Sequence, residues 1–194
     1  MSKLCIPVLQ GTTREQRKSI HVAEFLAKVG NERDDVESFV VDPKDFNFPG
    51  DGNDPEGRDP EYTKITDIAD GFFIVVPEYN HSFPGSLKRM LDSELKNYMH
   101  KPAAMAGVSS GRFAGVRAIE ALTSPLRELG LVVTFTDVHV GNSYSAFDEK
   151  GTMSDKTKEF LPDAAKAAWD ELVWMAQTLK YGRENVPSKY HKKK

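Results

Sequence analysis

Short apolar runs alternate along this chain with segments whose apolar residues recur every three or four positions. Leu4 to Leu9 reads as a buried strand. From about Arg17 to Val29, the positions Val22, Leu26 and Val29 fall at helical spacing, and Gly30 is placed to stop that helix. Val36 to Val41 alternates as a second strand, and Asp42 to Tyr62, crowded with Asp, Gly, Pro and Asn, predicts a long loop. Gly71 to Val76 is a third strand, followed after Pro84 by a helical pattern through Leu87, Met90, Leu91 and Leu95. Ala103 to Val108 is a fourth strand; Val116, Ile119, Leu122, Leu126 and Leu129 then mark a helix closed by Gly130. Leu131 to Phe135 is the fifth strand, and Leu161, Ala165, Ala168, Leu172, Met175 and Leu179 share one face of a final helix.

Five short apolar strands separated by helices predict an α/β fold, a flavodoxin-like doubly wound five-stranded parallel sheet of order 2-1-3-4-5 with helices on both faces. Two prolines should disturb it locally. Pro7 removes a ladder donor from the first strand, and Pro125 should kink the fourth-strand helix or begin its last turn. Residues 1–182 are expected to form a single domain, with 183–194 as a disordered basic tail.

Composition narrows the function. With 28% charged residues, 39% hydrophobic residues and a net charge of −3, nothing favours broad binding to nucleic acid. A single cysteine, Cys5 in the first apolar run, leaves disulfide frameworks and cysteine metal sites without ligands and reads as a small buried hydrophobe. No apolar run approaches the about 18 residues of a membrane span, so a cytoplasmic protein is expected.

Candidate chemistry lies in the loops after the first, third and fourth strands, at the carboxyl edge where open α/β sheets bind ligands. The first loop, Gly11-Thr12-Thr13-Arg14-Glu15-Gln16-Arg17-Lys18-Ser19, opens a helix. It brings backbone N–H groups, hydroxyls of Thr12 and Ser19, and the guanidinium groups of Arg14 and Arg17 to one place, a combination suited to a phosphate. It matches neither a Walker A loop nor G-x-G-x-x-G. The plainer reading is an exposed helix start with solvated charges.

The second loop, Pro77-Glu78-Tyr79-Asn80-His81-Ser82-Phe83-Pro84-Gly85-Ser86-Leu87-Lys88, suits a planar heterocycle with a hydrogen-bonding edge. Ser82 could equally cap the next helix, and Glu78, with no paired acid, fits a hydrogen-bonding role better than general base. The lone His81 carries no metal spacing. The third loop, Ser109-Ser110-Gly111-Arg112-Phe113-Ala114-Gly115, is a small-residue turn that lets backbone approach a ring edge, or a simple strand-to-helix connection. Tyr144, beyond the fifth strand, is placed to reach the mouth of such a site.

Together these loops, with Arg117-Ala118, resemble the NADPH-dependent FMN reductase family over residues 3 to 135. The second motif is the most specific. Thr12 stands where serine is frequent, Ala114-Gly115 where paired glycines are common, and Pro125 in a helix usually free of such a break. The resemblance implies FMN held without a covalent bond, its phosphate at Thr12, Arg14, Gln16, Arg17 and Ser19. The isoalloxazine would lie along Pro77, Glu78, Tyr79 and Asn80, approached from the other side by Ser109 and Gly111. It further implies NADPH or NADH as co-substrate, a small-molecule electron acceptor such as a quinone, free flavin, chromate or azo compound, and a homodimer or homotetramer. No side chain is assigned a catalytic role, because the chemistry belongs to the flavin. Two other readings remain open: an FMN electron carrier without a nicotinamide site, and an interaction module that has lost its flavin.

Overall fold

The computed structural model describes residues 3–50 and 55–191. Part of the expected long loop (51–54) and the end of the expected basic tail (192–194) lie outside the described residues.

The first strand is laid down in two pieces, β1 (Leu4–Cys5) and β2 (Val8–Gln10), and so is the second, β3 (Val36–Glu37) and β4 (Val40–Val41). Pro7 explains the break in the first. Toward the second strand Leu4, Ile6 and Val8 donate to the carbonyls of Asp35, Glu37 and Phe39, but the Ser38 N–H turns to Asn31 Oδ1 and its hydroxyl takes the Ile6 carbonyl, which divides β3 from β4. Toward the third strand, β5 (Phe72–Pro77), Pro7 offers no N–H. The Cys5 N–H turns instead to the Asp70 carboxylate at 3.2 Å, and pairing resumes with Phe73 N–H donating to the Pro7 carbonyl.

β5 pairs along its whole length with β6 (Pro102–Val108). The fifth strand is again divided, into β7 (Val132–Val133) and β8 (Val138–Val140), both parallel to β6. Every pairing between these strands is parallel, and the order runs β4-β2-β5-β6-β7 with β8 beside β6. With each divided strand counted once, this is the expected 2-1-3-4-5. The expected fifth strand, Leu131 to Phe135, contains β7 but overruns it and misses β8: after Thr134 N–H bonds the Ala103 carbonyl, residues 135–137 leave the ladder, and Phe135 is 94% exposed.

Helices α1 (Ser19–Asn31) and α7 (Leu161–Asn185) cover one face of the sheet. Between them and the sheet lie Val22, Leu26, Phe73, Val75, Ala104, Ala106, Trp169 and Leu172, all buried. The residues between those strand positions, Phe72, Ile74, Val76, Ala103 and Met105, point to the opposite face. There they meet α2 (Pro60–Ile68), α3 (Gly85–Asp92) and α4 (Val116–Glu128). Burial on both faces is why the strands read as unbroken apolar runs.

Three expected details change. Gly30 does not stop α1, which runs on to Asn31; a Cβ at Gly30 would sit 2.6 Å from the Trp169 ring, so glycine is needed for close packing. The loop expected to reach Tyr62 ends at Asp59, whose carboxylate caps α2 through the N–H groups of Glu61 and Tyr62, with Pro60 in the first turn. Residues 183–185 belong to α7, where Arg183 donates to the His100 carbonyl. Pro125 does begin the last turn of α4, and Gly130 (φ +82°) does terminate it.

Candidate functional site

At the carboxyl edge, the loop after β2 bends because of one glycine. A Cβ on Gly11 would lie 2.5 Å from the Val75 carbonyl oxygen, so only glycine lets the chain cross β5 here. The buried Gln10 ties the two ends of the loop together: its Oε1 accepts from Gly11 N–H and its Nε2 donates to Ser19 Oγ, both at 2.8 Å. Nothing in the periodicity singled out Gln10; the one available signal was a glutamine at the end of an apolar run.

Within this loop Thr12 Oγ1 accepts from Arg14 N–H at 3.2 Å and lies 2.9 Å from the Tyr79 hydroxyl, joining the first and second loops. Ser19 starts α1, which has no side-chain N-cap bond, so the positive end of the helix faces the loop. Because Ser19 Oγ accepts from Gln10, its own hydrogen remains available to donate. Arg17 is paired with Asp42 and reaches the Arg14 carbonyl at 3.3 Å; its Nε is buried without a partner. The one acid of the loop, Glu15, is bonded to Lys44, which holds its carboxyl below the usual range. The backbone turns left-handed at Gln16 (φ +53°).

The second loop continues the sheet for one residue, with Glu78 N–H donating to the Val108 carbonyl at 2.8 Å. It then makes a tight turn. Tyr79 and Ser82 exchange backbone bonds of 2.8 and 2.9 Å across Asn80 and His81, both with positive φ, the pattern of a two-residue type I′ turn. Ser82 is used in that turn and does not cap α3; its N-cap is Pro84, with no side-chain bond.

Arg117 of α4, quoted in the sequence motif but given no role there, stands between Glu78 and His81 of this loop. Its Nη2 lies 2.5 Å from Glu78 Oε1 and its Nη1 2.7 Å from His81 Nε2, while its guanidinium covers the Phe113 ring at 4.8 Å. A cation placed this way separates Glu78 from His81 and pins the turn to α4, consistent with a shaping role for both.

The third loop meets a different requirement from the one expected. Gly115 (φ +78°) packs on β6: a Cβ there would lie 2.6 Å from the Gly107 Cα. The close approach is thus internal, whereas a Cβ at Gly111 would meet nothing within 4 Å. Ser109 is held by its N–H to the Val140 carbonyl, and its own carbonyl accepts from Ser143 N–H, each at 3.0 Å. That second bond brings α5 (Ser143–Ala146), with the exposed Tyr144, to the same edge.

The loops enclose a cleft of about 100 Å³. From the first loop, Thr12, Arg14, Gln16, Arg17 and Ser19 line it; from the second, Pro77, Glu78 and Tyr79; from the third, Ser109. Asn80 and Gly111 stand outside that lining. Lys18, Ser110 and Ser143 were missed, and Tyr144 does reach the mouth. Arg14, Arg17, Lys18 and the uncapped start of α1 bring cationic and N–H donors to the first-loop side of this cleft.

The family model described as NADPH-dependent FMN reductase matches residues 5–145, which contain all these loops. A quinone reductase of Pseudomonas putida is 33% identical over 99 residues, 48% of this chain and 53% of that protein. An NADPH azoreductase of Bacillus sp. (strain OY1-2) is 26% identical over 162 residues, 78% of this chain and 88% of that protein. The match therefore spans about half the length of the Pseudomonas relative. Among solved structures, FerB, a flavoenzyme NAD(P)H:(acceptor) oxidoreductase from Paracoccus denitrificans, superposes with a TM-score of 0.70 at 22% identity, covering 89% of this chain and 98% of that one. At that identity it shows the fold.

Proposed function

Since the chain belongs to the NADPH-dependent FMN reductase family, we propose that it is an FMN-dependent NAD(P)H oxidoreductase that reduces a small acceptor of the quinone or azo class. The observation that carries this reading is the convergence of the three loops on one cleft. Its enclosed end gathers the uncapped start of α1, two hydroxyls and two arginines.

The residues present fit the cofactor. The orphaned Arg17 Nε, the free hydrogen of Ser19 and the guanidinium of Arg14, unpaired among the described residues, are donors in want of an acceptor, which a phosphate monoester supplies. Thr12 and the backbone around Gln16 complete that end. Pro77, Glu78 and Tyr79 form one wall of the rim for the ring, Ser109 the other, with Asn80 and Gly111 reached only along the open edge. When bound, FMN supplies two-electron exchange between nicotinamide and acceptor.

The protein orients and stabilises. Tyr79, bonded to Thr12, holds the two loops in register, and Arg117 keeps Glu78 and the turn at His81 in place. Backbone N–H groups of the third loop without a partner among the described residues, such as that of Ser110, would stabilise negative charge that develops on the ring side. No helix among the described residues is long and apolar enough to cross a membrane; a cytoplasmic site is part of the proposal. So is a homodimer or homotetramer.

Purification followed by a flavin spectrum and anaerobic titration with NADPH and NADH tests the reading. Rapid bleaching by a nicotinamide alone supports the reductase. Bound FMN that does not bleach without a partner reductase would make the chain an electron carrier, and failure to take up FMN would defeat both.

A further inference from the structure

At the amino edge of the sheet, opposite the cleft, the chain beyond α7 lies against His100, two residues before the start of β6. It closes a small turn there: His191 N–H donates to the Ser188 carbonyl at 3.2 Å, and Tyr190 N–H to Ser188 Oγ at 3.1 Å. Those bonds are internal to residues 187–191. Among the described residues, a single hydrogen bond ties this strap to the body of the fold, with His191 Nε2 and His100 Nδ1 2.7 Å apart.

The two imidazoles play unequal parts. His100 is fixed: its N–H donates to the Gly130 carbonyl and its carbonyl accepts from Arg183, each at 2.8 Å, and its backbone is left-handed (φ +58°). His191 is held by its own turn and by the shared bond. The Tyr190 ring also meets His100 edge to face, with centroids 5.4 Å apart. One such contact does not hold five residues against their conformational entropy.

A bond between two imidazoles exists only while one of the facing nitrogens lacks a proton and accepts. With both protonated, two N–H groups oppose each other and two cations stand with ring centroids 4.9 Å apart. The surroundings add positive charge. Arg183 stands on α7, Lys189 of the strap lies over the Tyr190 ring, and Lys101 follows His100, its ammonium turned to the carbonyls of Thr66 and Asp67. The acids on this side do not offset it: Asp70 is paired with Lys180 and Arg183, and the exposed Glu184 forms no ion pair with either ring among the described residues. Burial, His100 and Arg183 hold the His191 pKa below its usual 6.5.

We propose that residues 187–191 form a pH-operated strap, latched to the amino edge by the His100–His191 bond and released when both rings are protonated. The latched strap binds fewer protons than the free one, so acid favours release. The balance shifts by up to about tenfold per pH unit below 6.5. Release uncovers the His100 ring and frees Tyr190 and Lys189 for other contacts.

Nitrogen-15 relaxation of the isotope-labelled full chain tests this at about pH 7.5 and about pH 5, either side of the imidazole range. Residues 188–191 should be as rigid as α7 at the higher pH and mobile at the lower, with α7 itself unchanged. His191→Ala should leave the strap mobile at both. A wild-type strap that is equally ordered at both pH values, one already mobile at the higher, or a transition that survives His191→Ala would overturn the proposal. The measurement needs no flavin, so its outcome is independent of the reductase reading.

Discussion

At Arg14 the first loop has a guanidinium without an ion pair among the described residues, whereas Arg17 is committed to Asp42. Arg14→Ala is therefore the cleaner probe of the anion site. It should weaken FMN retention about tenfold, the loss of one charge-assisted bond, by equilibrium dialysis; unchanged affinity would count against the first-loop assignment. Asp137 offers a test on stability. Burial pushes its carboxyl up from 3.8 to about 6, with Glu120 and Glu171 adding to the effect against His139, and its Oδ1 is buried without a partner. Between those two values the folded protein holds a proton that the unfolded chain has released. Stability should consequently fall as pH rises from about 4 to about 6. Asp137→Asn should flatten that window and raise stability at pH 7 by on the order of 1 kcal/mol, after allowance for solvent screening at a half-buried site. Urea unfolding at pH 4, 6 and 7 reads both effects.

At the scale of elements, helix α1 and helix α7 pack closely around Trp169. Trp169 Nε1 donates to the Leu26 carbonyl at 3.0 Å, and its ring lies over Gly30. Gly30→Ala would usually help a helix, yet here the new methyl collides with a fully buried ring, and the cost of overpacking, roughly 1–3 kcal/mol, exceeds the gain in propensity of about 1 kcal/mol. A lowered urea midpoint is the expected result, and a raised one would mean that Trp169 yields. The helices with continuous apolar faces were legible in the sequence. Helix α2 was hidden by a run of loop-forming residues, although Asp59-Pro60-Glu61 carried its start signal. The fifth strand was only half found because Leu131 to Phe135 reads as one mostly apolar run, whereas just its start pairs with β6 and the ladder resumes at Val138 to Val140.

For the whole molecule, α7 presents both a buried and an exposed aromatic side. Trp169 and Val173 are core, while Trp174, 66% exposed, shares its face with Tyr181 two turns on. An aromatic pair on the outward side of α7 fits a contact with a second copy, and Trp174→Glu should shift a wild-type oligomer toward monomer in light scattering. A wild type that is already monomeric would remove the oligomer from the proposal.

The sequence by itself determined the layered α/β order, the three loops at the carboxyl edge and their family, because apolar period and loop chemistry are local properties. Tertiary structure alone decided which groups act together. Gln10 clamps the first loop from beneath, Thr12 meets Tyr79 across 67 positions of chain, and Arg117 divides Glu78 from His81. These are contacts between segments that only parallel pairing brings side by side, and no period along one segment encodes them. The glycines show the same division: their places were visible, but whether each turns the chain, as Gly130 does, or admits a neighbour, as Gly30 and Gly115 do, depends on what packs against it.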